Sequence, residues 1–299
     1  MASNAEIGRP GLRWPAGLLL ALVSALVNVA CTSAGGDDVI AGSGELGHIH
    51  DLVFSEDGDL LVASHTGLWR IDGLDRAVLV GSERHDLMSM TSLPDGTLIA
   101  SGHPDLRLDQ YRLEDRPALL GLVRSDDRGE SWEVVDLLGV ADFHALAATA
   151  TQVFGAESGG QVWHLDTDEP WSQLGAIDAH DLALDPAGPA RQLAVRGDGT
   201  VWVTTDGAMT WSRIDGAPSM IEVEWPSEQT VLGVSEDGQI WAGTPTGIWR
   251  SAGAGPPGVE TFHVDSGGMW WLTAHGGSIH RSDDEGETWV DVYQPPPRS

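Results

Sequence analysis

Short apolar strands recur along the chain at a nearly constant interval. Gln161-Val162-Trp163, Thr200-Val201-Trp202 and Gln239-Ile240-Trp241 are successive copies of one segment, and Ser278-Ile279-His280 continues the series. A second tryptophan series, Trp132, Trp171, Trp211, Trp249 and Trp289, keeps the same beat of about 39 residues. Gly121-Leu122-Val123-Arg124 falls one period before Trp163. Gly67-Leu68-Trp69-Arg70 is the equivalent piece of the first unit, displaced by about 16 extra residues. Ahead of these copies lie apolar or alternating stretches such as 50–54, 144–148 and 180–184, and then 60–63, 98–100, 153–156 and 231–234. A period near forty with strand-type alternation inside it predicts four strands per repeat, in a unit that buries its faces only against its neighbours. The expected fold is therefore an all-β, six-bladed β-propeller over residues 46–299, with seven blades as the alternative if the N-terminal segment adds strands to close the ring.

Composition adds two constraints. Thirteen Trp and 38 Gly against two Tyr and four Phe make Trp the packing residue and Gly the turn residue. Sixteen basic residues, all Arg, stand against 45 Asp and Glu, for a net charge of −29. Such a surface argues against nucleic acid or an anionic membrane as an electrostatic partner, and suits solubility or cations. The N-terminus is different in kind. Arg9 and Arg13 precede an apolar run from Ala16 to Ala30, which reads as a secretory signal over residues 1–30, and Cys31, the single cysteine, follows. The segment Val27-Asn28-Val29-Ala30-Cys31 resembles the processing site of bacterial lipoproteins, with Asn28 where that family favours an aliphatic residue. The resemblance implies acylation of Cys31, a flexible tether over 31–45, and attachment to the outer side of the cell membrane. With its one cysteine so used, the domain has no disulfide and relies on packing.

The most specific motifs lie between third and fourth strands. Ser125-Asp126-Asp127-Arg128-Gly129-Glu130-Ser131-Trp132 and Ser282-Asp283-Asp284-Glu285-Gly286-Glu287-Thr288-Trp289 match the Asp-box pattern Ser-x-Asp-x-Gly-x-Thr-Trp. The stretch from Thr204 through Asp206 to Trp211 is a third copy, with Ala208 in the glycine position. The Asp caps a tight turn, the Gly takes a positive φ and the Trp packs the turn on the blade, so the motif is structural. Together with His48-Ile49-His50-Asp51, Ser101-Gly102-His103-Pro104-Asp105 and Asp142-Phe143-His144, these boxes resemble bacterial exported BNR-repeat propellers labelled glycosylhydrolase-like or exo-sialidase-like. They are also shared with the sorting-receptor propellers, which are not enzymes.

The resemblance implies a glycan-cleaving activity that the residues support poorly. A sialidase needs three arginines on a carboxylate and a Tyr–Glu pair. The chain offers only Tyr111 and Tyr293. Asp105 with Glu222 is the candidate pair for a two-carboxylate glycosidase, but 45 acids supply such pairs readily. Histidines give a sharper signal. In a propeller, turns entering first strands and turns between second and third strands share one face. His48, His50, His85, His144, His180 and His263 belong to the first set, and His65, His103 and His275 to the second. His50, His144 and His180, with Met88 at the matching position, are candidate ligands for copper or zinc. The insertion from His103 to Leu119 crowns the same face, making His48, His103, Asp105 and Tyr111 the candidate contact surface for an envelope protein or a glycan. The balance favours a ligand-binding module over an enzyme.

Overall fold

A computed structural model describes residues 46–166 and 171–296. The predicted signal, Cys31 and the tether lie outside them. The described residues form a six-bladed β-propeller, each blade a four-stranded antiparallel meander. The first strands are Ile49–Phe54, Asp86–Ser92, Phe143–Ala148, Ala179–Leu184, Glu222–Ser227 and Val259–Val264. They stand side by side around a central channel of about 1000 Å³. The first and last blades each supply their own four strands, so the seven-bladed alternative does not arise and the ring closes by packing and a few hydrogen bonds across the seam, with no strand shared between blades.

Burial explains which residues became which strand. Second strands such as Leu60–Ser64 and Trp270–Ala274 are buried at every position, since neighbouring blades cover both faces. Fourth strands at the rim are exposed, as at Glu133–Asp136 and Ser212–Arg213. The core is accordingly six apolar layers, one between each pair of blades. Val53, Leu61, Met90 and Leu98 fill the layer between blades 1 and 2. Leu52, Trp69, Trp271, Ile279 and Tyr293 fill the layer between blades 6 and 1. That last layer closes the ring, and the Gln294 amide adds a 2.6 Å hydrogen bond to the Leu74 carbonyl across the same seam.

Two polar devices tie blade to blade. Near its start, the first strand of five blades carries a register shift, at His50, Met88, His144, His180 and Glu260. The extra residue turns its side chain off the regular alternation. Beside the shift, a polar side chain reaches the next blade's backbone. Asp51 accepts from the Met90 amide at 3.0 Å, Asp181 from Val223 at 2.7 Å and Glu260 from Ile49 at 3.1 Å, while Glu222 accepts from Phe262. Ser89 donates to the Phe143 carbonyl at 2.9 Å.

The Asp-centred turns form the second device, on blades 2, 4 and 6. In each, the carboxylate holds the hydroxyl two residues back and the amide four residues on: Asp127 with Ser125 and Ser131, Asp206 with Thr204 and Thr210, Asp284 with Ser282 and Thr288. Each turn then rests on a glycine at the outer edge of the preceding blade. A Cβ on Gly175 would lie 2.3 Å from the Met209 carbonyl oxygen, and the Gly175 amide donates to Ala208 at 2.9 Å. Gly81 against Glu130 and Gly253 against Gly286 repeat the approach. Ala208 keeps the positive φ of the glycine it replaces, at 67°, and its methyl is fully buried between blades 3 and 4.

Candidate functional site

The register shifts gather imidazoles at one mouth of the channel. His50 sits on the shift in blade 1, His65 follows on the turn after the second strand of that blade, and Asp86 begins the first strand of blade 2. One ligand atom from each, His50 Nε2, His65 Nδ1 and Asp86 Oδ1, lies within 4.8 Å of the other two. The separations are 3.1 Å between the imidazoles, 2.8 Å from His65 to Asp86 and 3.8 Å from His50 to Asp86. His48 stacks edge-on against His50, with centroids 4.7 Å apart, and its Nδ1 lies 2.9 Å from Glu260. The cluster continues around the mouth through His103, 3.6 Å from both Asp86 and Asp142, to His144, 3.0 Å from Asp142.

Electrostatics divide these rings into two kinds. Burial, with the charges of His65 and His48 next, lowers His50 to about 3, so its imidazole is neutral at physiological pH with a lone pair to give. His180 is lowered for the same reasons, burial first and then His144. His48 and His144 are raised instead, by their hydrogen bonds to Glu260 and Asp142. The mouth therefore presents uncharged imidazoles flanked by imidazole–carboxylate pairs, an arrangement that receives a cation more readily than an anion.

Deeper in the channel the chemistry turns acidic. Asp51 and Asp181 are each pushed up to about 7, first by burial and then by carboxylates such as Glu224. Glu222 is raised well above its ordinary value by burial and by Asp181. At the far end His263 holds Glu224 at 2.8 Å; burial opposes its charge, but Glu224 outweighs burial and the pKa is raised.

Several expected residues have other tasks. Met88 shares the register position of His50, His144 and His180, but the convergent trio takes His50 alone of these four and completes itself with His65 and Asp86. Asp105 is buried, ion-paired with Arg107 and hydrogen-bonded to the Arg84 amide at 3.0 Å; Arg107 holds it well below the usual carboxylate range. Glu222 fastens blade 5 to blade 6. Neither carboxylate of the proposed glycosidase pair is free for a sugar, and they stand on different blades. Tyr111 is only 3% exposed and its hydroxyl, with one proton to give, lies 2.6 Å from the Trp132 carbonyl and 3.1 Å from Glu83, so it anchors the insertion instead of offering a contact. His85 is buried behind Tyr111 and bonded to Glu83, and His263 is at the other end of the channel. His48 and His103 do lie on the mouth.

Asp86 went unnoticed in the sequence, although a signal was present. Two residues before four of the five register shifts stand His48, Asp86, Asp142 and Asp178, with Gly258 before the fifth. Aligning the blades on the shift would have set Asp86 and Asp142 beside the histidines.

The fold and site together define a six-bladed propeller with a His- and Asp-ringed channel mouth. No family model matches the chain, and no curated protein matches it. Solved structures do. The WD40 β-propeller domain of Doa1 superposes with a TM-score of 0.59 at 16% identity, covering 86% of this chain and 88% of that one. An ancestral GH74 enzyme gives 0.54 at 14%, covering 84% of this chain and 39% of that one. The GH74 xyloglucanase from Xanthomonas campestris gives 0.51 at 20%, covering 82% and 38%. The chain thus spans about two fifths of the GH74 enzymes it resembles. At these identities the likeness is one of fold.

Proposed function

We propose that this protein is a metal-binding propeller, holding one zinc or copper ion on His50, His65 and Asp86 at the mouth of its channel. The convergence of those three ligand atoms carries the reading. An ion about 2.0–2.1 Å from each tetrahedral ligand sets neighbouring ligands about 3.3 Å apart. Separations of 3.1, 2.8 and 3.8 Å bracket that edge. Two imidazoles and a carboxylate suit a borderline cation, and at least one coordination position is left facing the open mouth. The surrounding acidic shell raises the local concentration of any cation. An exported, lipid-anchored form, acylated at Cys31, is the setting in which such a module meets envelope metal or a partner protein; mass analysis of the N-terminal peptide tests that part.

The test is elemental analysis of the full chain, purified in detergent without chelator or a metal-binding tag, followed by titration with zinc and copper. Retention or uptake of ion, lost in His50→Ala and His65→Ala with the fold intact by circular dichroism, supports the reading. A chain that neither carries nor takes up either ion refutes it.

A further inference from the structure

The three-atom group accounts for only part of the mouth. Asp142 is 8% exposed, and its Oδ1 has no hydrogen-bond partner. Its ion-pair neighbours among the described residues are two histidines, His144 Nε2 at 3.0 Å from Oδ2 and His103 Nε2 at 3.6 Å from the same oxygen. A carboxylate this enclosed needs positive charge beside it, and the chain has no lysine to send. The longer gap is informative. At 3.6 Å, His103 and Asp142 are too far apart for a hydrogen bond, yet close to the about 3.3 Å edge that a shared tetrahedral ion would set. The other nitrogen of His103, Nδ1, faces Asp86 Oδ2 at 3.6 Å, while Asp86 Oδ1 faces the first group.

We infer that the mouth is built for a second ion, held by His103 Nε2, His144 Nε2 and Asp142 Oδ2, and linked to the first through His103 and Asp86. The inference rests on the single-ion reading above and extends it. In this arrangement His103 binds the second ion through Nε2 and turns Nδ1 toward Asp86, the carboxylate that ligates the first, closing a gap of 3.6 Å. A ligating imidazole whose other nitrogen is fixed by a carboxylate is the usual way such rings are oriented. Among the described residues only His50, His65 and Asp86 already have all three ligand atoms within 4.8 Å of one another, so the second ion requires the 43% exposed His103 ring to turn toward His144. Each ion would straddle elements of two blades: His50 and His65 of blade 1 with Asp86 of blade 2, and His103 of blade 2 with Asp142 and His144 of blade 3.

Cobalt(II) and zinc titrations of the full chain distinguish the outcomes by stoichiometry. Two ions per chain are expected, falling to one in Asp142→Asn and in His144→Ala, and to one in His65→Ala. Cobalt absorption spectra of the two single-ion forms should differ, because one site contains His103 and the other does not. One ion in the wild type, unchanged by Asp142→Asn, overturns the second site and leaves the first standing. Two ions that survive both Asp142→Asn and His144→Ala overturn the assignment of ligands. No ion in the wild type removes both readings.

Discussion

Protonation of the channel wall gives a stability signature that depends on the fold and on no ligand. Asp51 and Asp181 have folded pKa values of about 7 against an ordinary 3.8, first because burial disfavours their charge. A raised folded pKa means that the native state holds protons the unfolded chain has already released. The stabilisation is complete below the unfolded value and is lost as pH rises through the folded one. Between pH 6.5 and 8 each carboxyl gives up nearly all of its bound proton, which removes about 1 kcal/mol each and about 2 for the pair. The other shifted groups do not reverse the sign. Glu222, His48, His144 and His263 are also raised and act in the same direction, whereas the lowered His50, His85 and His180 act oppositely around their ordinary 6.5 and offset part of the fall at the start of the window. For about 250 folded residues the unfolding entropy is about half a kcal/mol per kelvin, so the pair lowers Tm by about 4 °C over this window.

The assay is scanning calorimetry in the presence of chelator from pH 5.5 to 8.5, on the wild type, Asp51→Asn, Asp181→Asn and the double variant. Absolute stability drops in each variant, because an amide offers one accepting oxygen where Asp51 uses two, Oδ1 for the Leu52 amide and Oδ2 for that of Met90. The slope is the diagnostic quantity. Each single variant should flatten the fall above pH 6.5 by about 2 °C, and the double variant by about 4 °C. A double variant whose Tm falls in parallel with the wild type would refute the claim that these carboxyls are protonated in the native channel.

Three further outcomes follow from named contacts. Asp127→Ala removes its bonds to Ser125 and to the amide and hydroxyl of Ser131, and should cost about 2 kcal/mol, read as about 4 °C in Tm. Gly175→Ala places a methyl against the Met209 carbonyl and should destabilise by more than about 2 kcal/mol in urea unfolding. Gly197→Ala, with open space around it, should stay within about 0.5 kcal/mol. Tyr111→Phe removes the hydroxyl that lies against the Trp132 carbonyl and Glu83, leaving Glu83 with His85 as its partner. It should loosen the insertion, seen as faster tryptic cleavage at Arg112 and Arg116 with Tm lowered by only a few degrees.

The architecture was legible because blade packing repeats. Trp163, Trp202 and Trp241 hold equivalent third-strand positions, and equivalence in space became periodicity in sequence. The site was legible only in outline, for the opposite reason. Ligand geometry at the mouth depends on what differs between blades, and no spacing rule reports it. Sorting histidines by face found His48, His50, His103 and His144. It misassigned His85 and His263, since a histidine near a first strand can sit behind the blade or at its far end. The carboxylates Asp105 and Glu222 looked available because the sequence gives no sign of partners distant along the chain: Glu222 bonds an amide 40 residues away.

Those differences between blades divide the ring chemically. In blades 1 to 4, positions at and two before the register shift carry His48, His50, Asp86, Met88, Asp142, His144, Asp178 and His180. Further along the channel wall stand Asp51, Asp181, Glu222 and Glu224, mostly from the opposite side. The inter-blade fasteners follow the same division. Carboxylates of blades 1, 4, 5 and 6 hold the next blade through backbone amides, blade 2 uses the neutral Ser89, and the matching residue of blade 3 is Ala145. Blade 3 can dispense with a polar fastener because Ala145, Ala156 and Ala179 form part of a tight apolar layer against blade 4. Asp142, at the position of Asp86 and not at that of the fasteners, is turned to His103 and His144. Replacing Ala145 with Asp would add negative charge beside His144 and should strengthen cation binding there before it affects His50.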